Sequence, residues 1–136
     1  MLTIKTYLDR SPIHGLGLFA GEPIPKGATV WAFHAAIDLA YSPDAWESLK
    51  QTVTPVCFAE LQKYAYKQNG TYYICFDNAQ FMNHATAEYN VGNNACDDTM
   101  YAMRDIAAGE ELLCNYHDFC DADDCNLLLI GAGGTE

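Results

Sequence analysis

The chain has 136 residues, half of them hydrophobic, and a formal net charge of −11 from 18 acidic and 7 basic residues. This length fits one domain, and the hydrophobic (50%) and aromatic (12%) content supports a core and argues against disorder. Because the negative charge repels phosphate backbones and anionic membranes and attracts cationic partners, we expect no direct nucleic-acid binding and no membrane association.

The two ends of the chain carry no targeting or spanning pattern. Residues 1–5 lack the long apolar stretch of a signal peptide, and residues 127–130 are too few to cross a bilayer. We therefore expect a soluble intracellular protein, cytoplasmic or, in a eukaryote, nuclear.

Six cysteines raise the question of disulfides or a zinc site. The chain has no Cys-x-x-Cys pair, and Cys57 and Cys75 lie in apolar runs typical of small buried hydrophobic residues. A metal site near the C-terminus is the alternative, with Cys114, Cys120, Cys125 and His117 as ligands. Because their spacing is irregular and lacks the paired spacing of structural zinc, we predict no metal.

The N-terminal third alternates between extended segments and glycine-rich turns. Residues 2–8 alternate apolar and polar side chains, which predicts a strand. Residues 15–20 match the beginning of a dinucleotide-binding fingerprint, but such a loop opens a helix. Residues 21–27 contain two prolines and two glycines and cannot sustain one. We predict instead a glycine-rich turn followed by a strand over residues 29–33.

Two helices and then a run of strands follow. Ser42-Pro43 and Thr54-Pro55 each combine a helix cap with proline at the first helical position, which predicts helices ending near residues 50 and 67. Asn69-Gly70 predicts a tight hairpin. Strands over residues 100–104 and 111–115 follow a polar loop over residues 84–100. Residues 1–120 form the predicted domain, and residues 121–136 form its acidic to apolar C-terminal tail.

Two short segments carry the polar groups of a candidate site. Phe81-Met82-Asn83-His84 places an amide and an imidazole on a backbone anchored by apolar neighbours. Gly109-Glu110-Glu111-Leu112-Leu113-Cys114-Asn115-Tyr116 ends an apolar strand with one hydroxyl group. Together with residues 13–20, these segments resemble, in order and spacing, the three motifs of a compact SET-domain lysine methyltransferase.

The resemblance covers about residues 3–119 and implies both a fold and an activity. The implied fold is mainly β with short helices: a SET domain, β-clip-like, of several small twisted sheets in which the Asn-His and C-terminal segments form a pseudoknot. The implied function is S-adenosylmethionine-dependent methylation of lysine side chains, with Tyr116 as the catalytic residue at the transferring methyl. The implied cofactor-binding residues are His14, Gly15, Leu16, Gly17, Asn83, His84, Tyr116 and Phe119.

The chain departs from the family pattern at several places, including Gln80, where arginine is common, and Tyr89, where proline is common. Ala85 replaces the usual serine and Asn90 comes one residue late, which indicates an insertion in the loop after His84. The cysteine-rich zinc segment that often follows the tyrosine is missing.

The substrate implied by the resemblance and the charge is a lysine-containing, basic protein or peptide. An apolar channel would favour its neutral amine by desolvation, without a dedicated general base. Tyrosines at positions 64, 66, 72 and 73 either line this channel or, on a helix and hairpin, pack in the core, which the pattern favours. Two other classes stay open: a catalytically inactive SET-like protein-interaction module, and a β protein that binds another small molecule. The sequence leaves the oligomeric state open.

Overall fold

The computed structural model describes residues 1–128 of the chain. The predicted C-terminal tail therefore lies partly outside the described residues. The strands are β1 (Thr6–Arg10), β2 (Leu16–Ala20), β3 (Thr29–Ala32), β4 (Asp38–Tyr41), β5 (Tyr66–Gln68), β6 (Thr71–Cys75), β7 (Asn83–His84), β8 (Val91–Asn94), β9 (Thr99–Ala102) and β10 (Leu113–Cys114). The helices that lie wholly within the described residues are α1 (Pro43–Thr52), α2 (Pro55–Tyr64) and two 3-10 turns, Asn78–Phe81 and Tyr116–Asp118, and residues 125–128 are also helical.

The strands form three small sheets, so the predicted mainly β architecture with short helices is confirmed. Strands β1 and β2 form an antiparallel pair, β4, β6 and β5 form a three-stranded sheet, and the central sheet has the order β3-β9-β8-β10-β7. The N-terminal prediction was partly wrong, because strand β1 begins at Thr6 and most of the segment predicted as a turn is strand β2. The actual turn precedes it, where Ser11 N donates to Gly15 O (2.8 Å) and Gly15 has φ +48°.

The helix signals are confirmed at both N-termini. Ser42 accepts from Ala45 N and begins α1, and Thr54 accepts from Cys57 N and begins α2. Helix α2 ends at Tyr64, earlier than predicted, because Ala65 is already extended. The predicted hairpin is formed by β5 and β6, with positive φ at Asn69 (51°) and Gly70 (79°) as a tight turn requires.

The C-terminal motif supplies an interior strand, β10, of the central sheet. Strand β10 lies between β7 and β8 and runs parallel to both, pairing Cys114 with His84 on one side and Val91 on the other. Strand β8 was missed, since it lies in the segment predicted as a polar loop. This threading agrees with the pseudoknot expected from the resemblance.

Two hydrophobic clusters hold these layers together. The main cluster joins β2, β3, β8, β9 and β10 through Leu18, Ala20, Ile24, Val30, Met82, Val91, Ala102, Ile106, Leu112 and Cys114. The second joins both helices to the hairpin through Trp46, Phe58, Ala65 and Ile74. Each large aliphatic side chain that is fully buried contributes about 1.5–3 kcal/mol, so the main cluster fixes the strands that carry the motifs.

The segment after Tyr116 is tied to the β5–β6 hairpin. Asp121 accepts from Asn69 N (2.7 Å) and Gly70 N (2.8 Å), and its own N–H donates to Lys67 O. Asp124, which is buried, accepts from Lys67 N (2.6 Å). These aspartates therefore hold the C-terminal segment against the hairpin turn.

Candidate active site

A cavity of about 740 Å³ lies where the three sheets and the C-terminal segment meet. Seven of the eight predicted site residues line it, namely His14, Gly15, Leu16, Asn83, His84, Tyr116 and Phe119. Within the described residues, Gly17 is the predicted site residue that does not line the cavity. The fold thus brings residues separated by about a hundred positions in the chain to one cavity.

The side-chain amide of Asn83 is held by three acceptors. Its Nδ2 donates to the backbone oxygens of His14 (3.0 Å) and Leu16 (3.1 Å) and to Glu111 Oε2 (3.0 Å). Because all three partners only accept, the NH₂ group must face them, which fixes the amide orientation. No donor among residues 1–128 reaches Asn83 Oδ1, although the residue is only 8% exposed. That oxygen is therefore available to a bound molecule.

His84 is a buried, neutral imidazole that contacts the backbone of Tyr116. It is 2% exposed, and its Nδ1 accepts from Tyr116 N (3.0 Å). Burial, followed by the nearby His117, lowers the pKa of His84 from 6.5. With Nδ1 as acceptor, the proton of the neutral ring is on Nε2. Nε2 is buried without a hydrogen-bond partner among the described residues.

Tyr116 begins the 3-10 turn after β10, and its ring is half-buried against His84, with centroids 4.9 Å apart. Its hydroxyl donates to Met82 O at 2.8 Å. This bond uses the single hydroxyl proton, so the oxygen meets other groups as an acceptor.

Part of the cavity lining is aromatic. We call Phe33, Tyr66, Tyr73 and Phe119 the aromatic wall, because their rings contact one another in sequence. Phe33 meets Tyr73 at 5.9 Å, Tyr73 stacks on Tyr66 at 5.2 Å, and Tyr66 meets the edge of Phe119 at 5.4 Å. Phe119 in turn contacts Tyr116 at 5.9 Å. Burial raises the pKa of Tyr66 well above its usual value, so its hydroxyl stays neutral.

The tyrosines divide between the two interpretations that the sequence left open. Tyr64, Tyr66 and Tyr73 line the cavity. Tyr72 packs in the second cluster, stacked on Trp46 at 4.8 Å. Sequence reasoning favoured core packing for all four and so missed most of the aromatic wall. Alternation along β6 puts neighbours on opposite faces, which is the signal that could have separated Tyr72 from Tyr73.

Gly17 has a packing reason to be glycine. A Cβ on this residue would lie 2.9 Å from Glu111 Cδ and 3.0 Å from Ser11 Cβ. The carboxylate of Glu111 occupies that space and accepts from Ser11 Oγ at 2.9 and 2.8 Å. We call Ser11, Asn83 and Glu111 the polar network. It links the turn just before the first motif to one residue of each of the other two motifs, and sequence reasoning assigned no role in the site to Ser11 or Glu111.

Asn90, displaced by one residue from the family pattern, is a buried anchor for the segment around β10. Its Nδ2 donates to Glu111 O (2.9 Å), and its Oδ1 accepts from Leu113 N (2.9 Å). Positive φ at Glu88 (59°) lies in the loop that carries the insertion. Asn90 therefore fixes both neighbours of Leu112 in place.

The cysteines at this site are thiols in apolar surroundings. Burial, with Asp38 nearby, raises the pKa of Cys75 to about 12, and burial also raises those of Cys114 and Cys120. Such thiols are poor nucleophiles and poor metal ligands. Among residues 1–128, no three His, Cys, Asp or Glu side chains converge in a way that could hold a metal ion.

The sequence matches the family model described as SET domain over residues 15–117. The chain belongs to the SET domain family. No curated protein matches the sequence. Within residues 1–128, no helix has the length and apolar character needed to cross a membrane.

Solved structures with the same fold include a candidate histone methyltransferase of Plasmodium falciparum, at 20% identity and TM-score 0.55, covering 85% of this chain and 95% of that one. The polycomb repressive complex 2 of Chaetomium thermophilum is similar over 92% of this chain, at 24% identity and TM-score 0.62. Its autoinhibited form bound to S-adenosylmethionine is similar over 97%, at 23% identity and TM-score 0.63. The chain spans only 16% and 17% of the length of those two polycomb chains.

Proposed function

We propose that this protein binds S-adenosylmethionine and transfers its methyl group to lysine side chains of a protein substrate. The observation that carries the proposal is the convergence of His14, Asn83, His84 and Tyr116 on one cavity, in a chain of the SET domain family. One of the solved SET-fold structures contains S-adenosylmethionine, which supports the choice of cofactor.

The residues present suit such a cofactor. A cavity of about 740 Å³ is within the usual range for small-molecule sites, about 300–1,000 Å³. Asn83 lines the cavity, and its Oδ1 would accept from the ammonium of the methionine portion. Phe119 supplies a flat apolar surface for the adenine.

The backbone carbonyls of residues 14–16 have limited capacity to accept further hydrogen bonds from the cofactor. The carbonyls of His14 and Leu16 already accept from Asn83, and Gly15 O accepts from Ser11 N. A carbonyl oxygen has two lone pairs, so each can take one further donor. Gly17 would act indirectly, by leaving room for Glu111.

When bound, S-adenosylmethionine supplies a methyl group on positively charged sulfur, whose transfer to a neutral amine leaves the thioether product. A lysine ammonium has no lone pair, and removing its proton at pH 7 costs about 4–5 kcal/mol. The aromatic wall excludes water and disfavours the charged form, so it reduces this cost without a general base.

Tyr116 would orient the reacting groups. Its proton is directed to Met82 O, so its oxygen would face the methyl and the amine as an acceptor. Weak C–H···O contacts of this kind favour one alignment, and alignment alone accelerates a displacement strongly. His84, bonded to Tyr116 N, would hold that backbone in place.

The substrate we propose is a basic, lysine-containing protein or peptide. The net charge of −11 supports it, since this field attracts cations. Asp121 and Asp124 also hold the C-terminal segment, but hydrogen bonds from backbone N–H groups leave their negative charge in place. The apparent KM for a lysine-rich peptide should therefore rise with ionic strength.

The decisive experiment has two stages. Calorimetry with S-adenosylmethionine and its demethylated product tests binding, and mass spectrometry on a lysine peptide array then tests transfer. Folded protein that binds neither nucleoside would refute the proposal. Binding without methylation of any peptide would favour the catalytically inactive interaction module instead.

A further inference from the structure

The carboxylate of Glu111 lies directly behind Asn83, on the side away from the cavity. It accepts hydrogen bonds from Asn83 Nδ2 at 3.0 Å and from Ser11 Oγ at 2.9 and 2.8 Å, and it is half-buried. Ser11 Oγ in turn accepts from Ile13 N at 3.0 Å, so the hydroxyl is tied to the turn that leads into Gly15. Glu111 therefore connects the Asn-His segment to the first motif.

A carboxylate in this position controls which way the amide of Asn83 faces. An ionised carboxylate only accepts, so a rotated amide would set Oδ1 against Glu111 Oε2, and two acceptors would repel. The carbonyls of His14 and Leu16 favour the same orientation. With Nδ2 held on this side, Oδ1 is the amide atom left for the cavity that Asn83 lines.

We propose that Glu111 is a positioning residue for the ammonium group of the cofactor. It holds Asn83 Oδ1 as an acceptor for that ammonium, and its own negative charge adds attraction from the layer behind. This inference rests on the proposed function and extends it to a residue that does not line the cavity. Its consequence is selective, since Glu111 should matter for ligands that carry an amino acid group and not for the nucleoside part.

The experiment compares two ligands that share the nucleoside. S-adenosylhomocysteine carries the ammonium, whereas 5′-methylthioadenosine lacks the whole amino acid portion. Glu111→Gln keeps the shape of the side chain, removes its charge and adds a donor that a rotated Asn83 can accept. We expect the Kd for S-adenosylhomocysteine to rise about tenfold or more, and that for 5′-methylthioadenosine to change by less than about twofold.

Glu110→Gln is the matched control, because it removes the same charge one residue away. Glu110 pairs with Arg104 at 3.1 Å on the surface and has no bond to Asn83. Both Kd values should change by less than about twofold in this variant, since surface charge effects are small. Ser11→Ala is a second variant that withdraws support from Glu111, and it should weaken S-adenosylhomocysteine selectively by about threefold.

Equal weakening of both ligands by Glu111→Gln would mean that Glu111 only maintains the fold, and the inference would be overturned. The inference would also be overturned if neither Kd changed in Glu111→Gln. If Glu111→Gln does not fold, Ser11→Ala decides by the same comparison of ligands. Wild-type protein that binds neither ligand would overturn the proposed function and this inference with it, whereas wild-type binding without selectivity in the variants would overturn the inference alone.

Discussion

Two groups of residues at the cavity, the polar network and the aromatic wall, are built in different ways. The polar network of Ser11, Asn83 and Glu111 holds each of its groups by named hydrogen bonds of 2.8–3.0 Å. The aromatic wall is instead held by ring contacts of 5.2–5.9 Å. A directional network fixes atoms, and an apolar wall fixes a shape. We expect the first to control cofactor orientation, and the second to control the amine and, through Phe119, to contact the adenine.

Tyr116 contacts both His84 and the Phe119 ring of the aromatic wall. Removing its hydroxyl should cause the largest loss of activity among the changes considered. Tyr116→Phe keeps the ring contacts with His84 and Phe119 and removes the one oxygen. We expect kcat to fall about 100-fold or more while the cofactor Kd changes by less than about threefold, because the oxygen acts mainly in the transition state. Single-turnover methylation and calorimetry measure the two quantities.

Tyr72→Phe is the control for that variant, since Tyr72 stacks on Trp46 and is absent from the described cavity lining. It should leave kcat near the wild-type value. If Tyr116→Phe instead lowers the melting temperature and keeps its turnover per folded molecule, Tyr116 is a core residue and the catalytic assignment is wrong.

The polar network can be broken by a single methyl group. Gly17→Ala would place Cβ 2.9 Å from Glu111 Cδ and push the carboxylate away from Asn83. We expect about 1–3 kcal/mol of destabilisation from overpacking, together with weaker cofactor binding. Gly92→Ala, for which the three nearest atoms to the new Cβ all belong to the Tyr101 side chain, should destabilise the protein without affecting the cofactor. If both variants bind the cofactor with the same affinity, Gly17 has no role in holding the cofactor site.

The aromatic wall can be loosened from outside the cavity. Asp121→Asn weakens the bonds from Asn69 N and Gly70 N that tie the segment carrying Phe119 to the hairpin. We expect a loss of about 1–2 kcal/mol in unfolding free energy, because one backbone donor would face an NH₂ group. Because Phe119 is also the proposed surface for the adenine, the peptide KM and the cofactor Kd should both rise. Asp123→Asn, which removes only an exposed ion pair with Lys67, should change neither.

The same contrast explains what the sequence could predict. Asn83, His84 and Tyr116 lie in motifs whose order and spacing resemble a known family, and helix caps such as Ser42 depend on adjacent residues. The aromatic wall combines β6, the end of α2, residue 33 and the C-terminal segment, so it depends on tertiary packing that no local pattern encodes. Strand β8 was missed because its residues, Val91–Asn94, are mostly polar or glycine.

The prediction for Gly17 was wrong for a related reason. Gly17 was predicted to lie in a glycine-rich turn, yet it lies in strand β2 and is small because Glu111, 94 positions away, needs the space. A contact at that separation cannot be read from local sequence. Asn90 is similar, since its importance comes from accepting Leu113 N across the sheet.

The smallest expected effect concerns pH and the link between His84 and Tyr116. The pKa of His84 is lowered below 6.5 in the folded protein, first by burial and then by His117, with Asp118 opposing. Between the unfolded and folded pKa values the unfolded chain binds more protons, so stability is full above about pH 6.5 and falls as the pH drops. From about pH 7.5 to pH 6, the titration of His84 alone can lower the free energy of unfolding by at most about 0.8 kcal/mol.

Urea unfolding across that range, for wild type and for His84→Asn, measures the contribution. Asparagine supplies an acceptor for Tyr116 N without titrating, so its stability should depend less on pH. An identical pH dependence in the two proteins would mean that His84 does not titrate differently on folding, and that its neutral form is not what holds Tyr116.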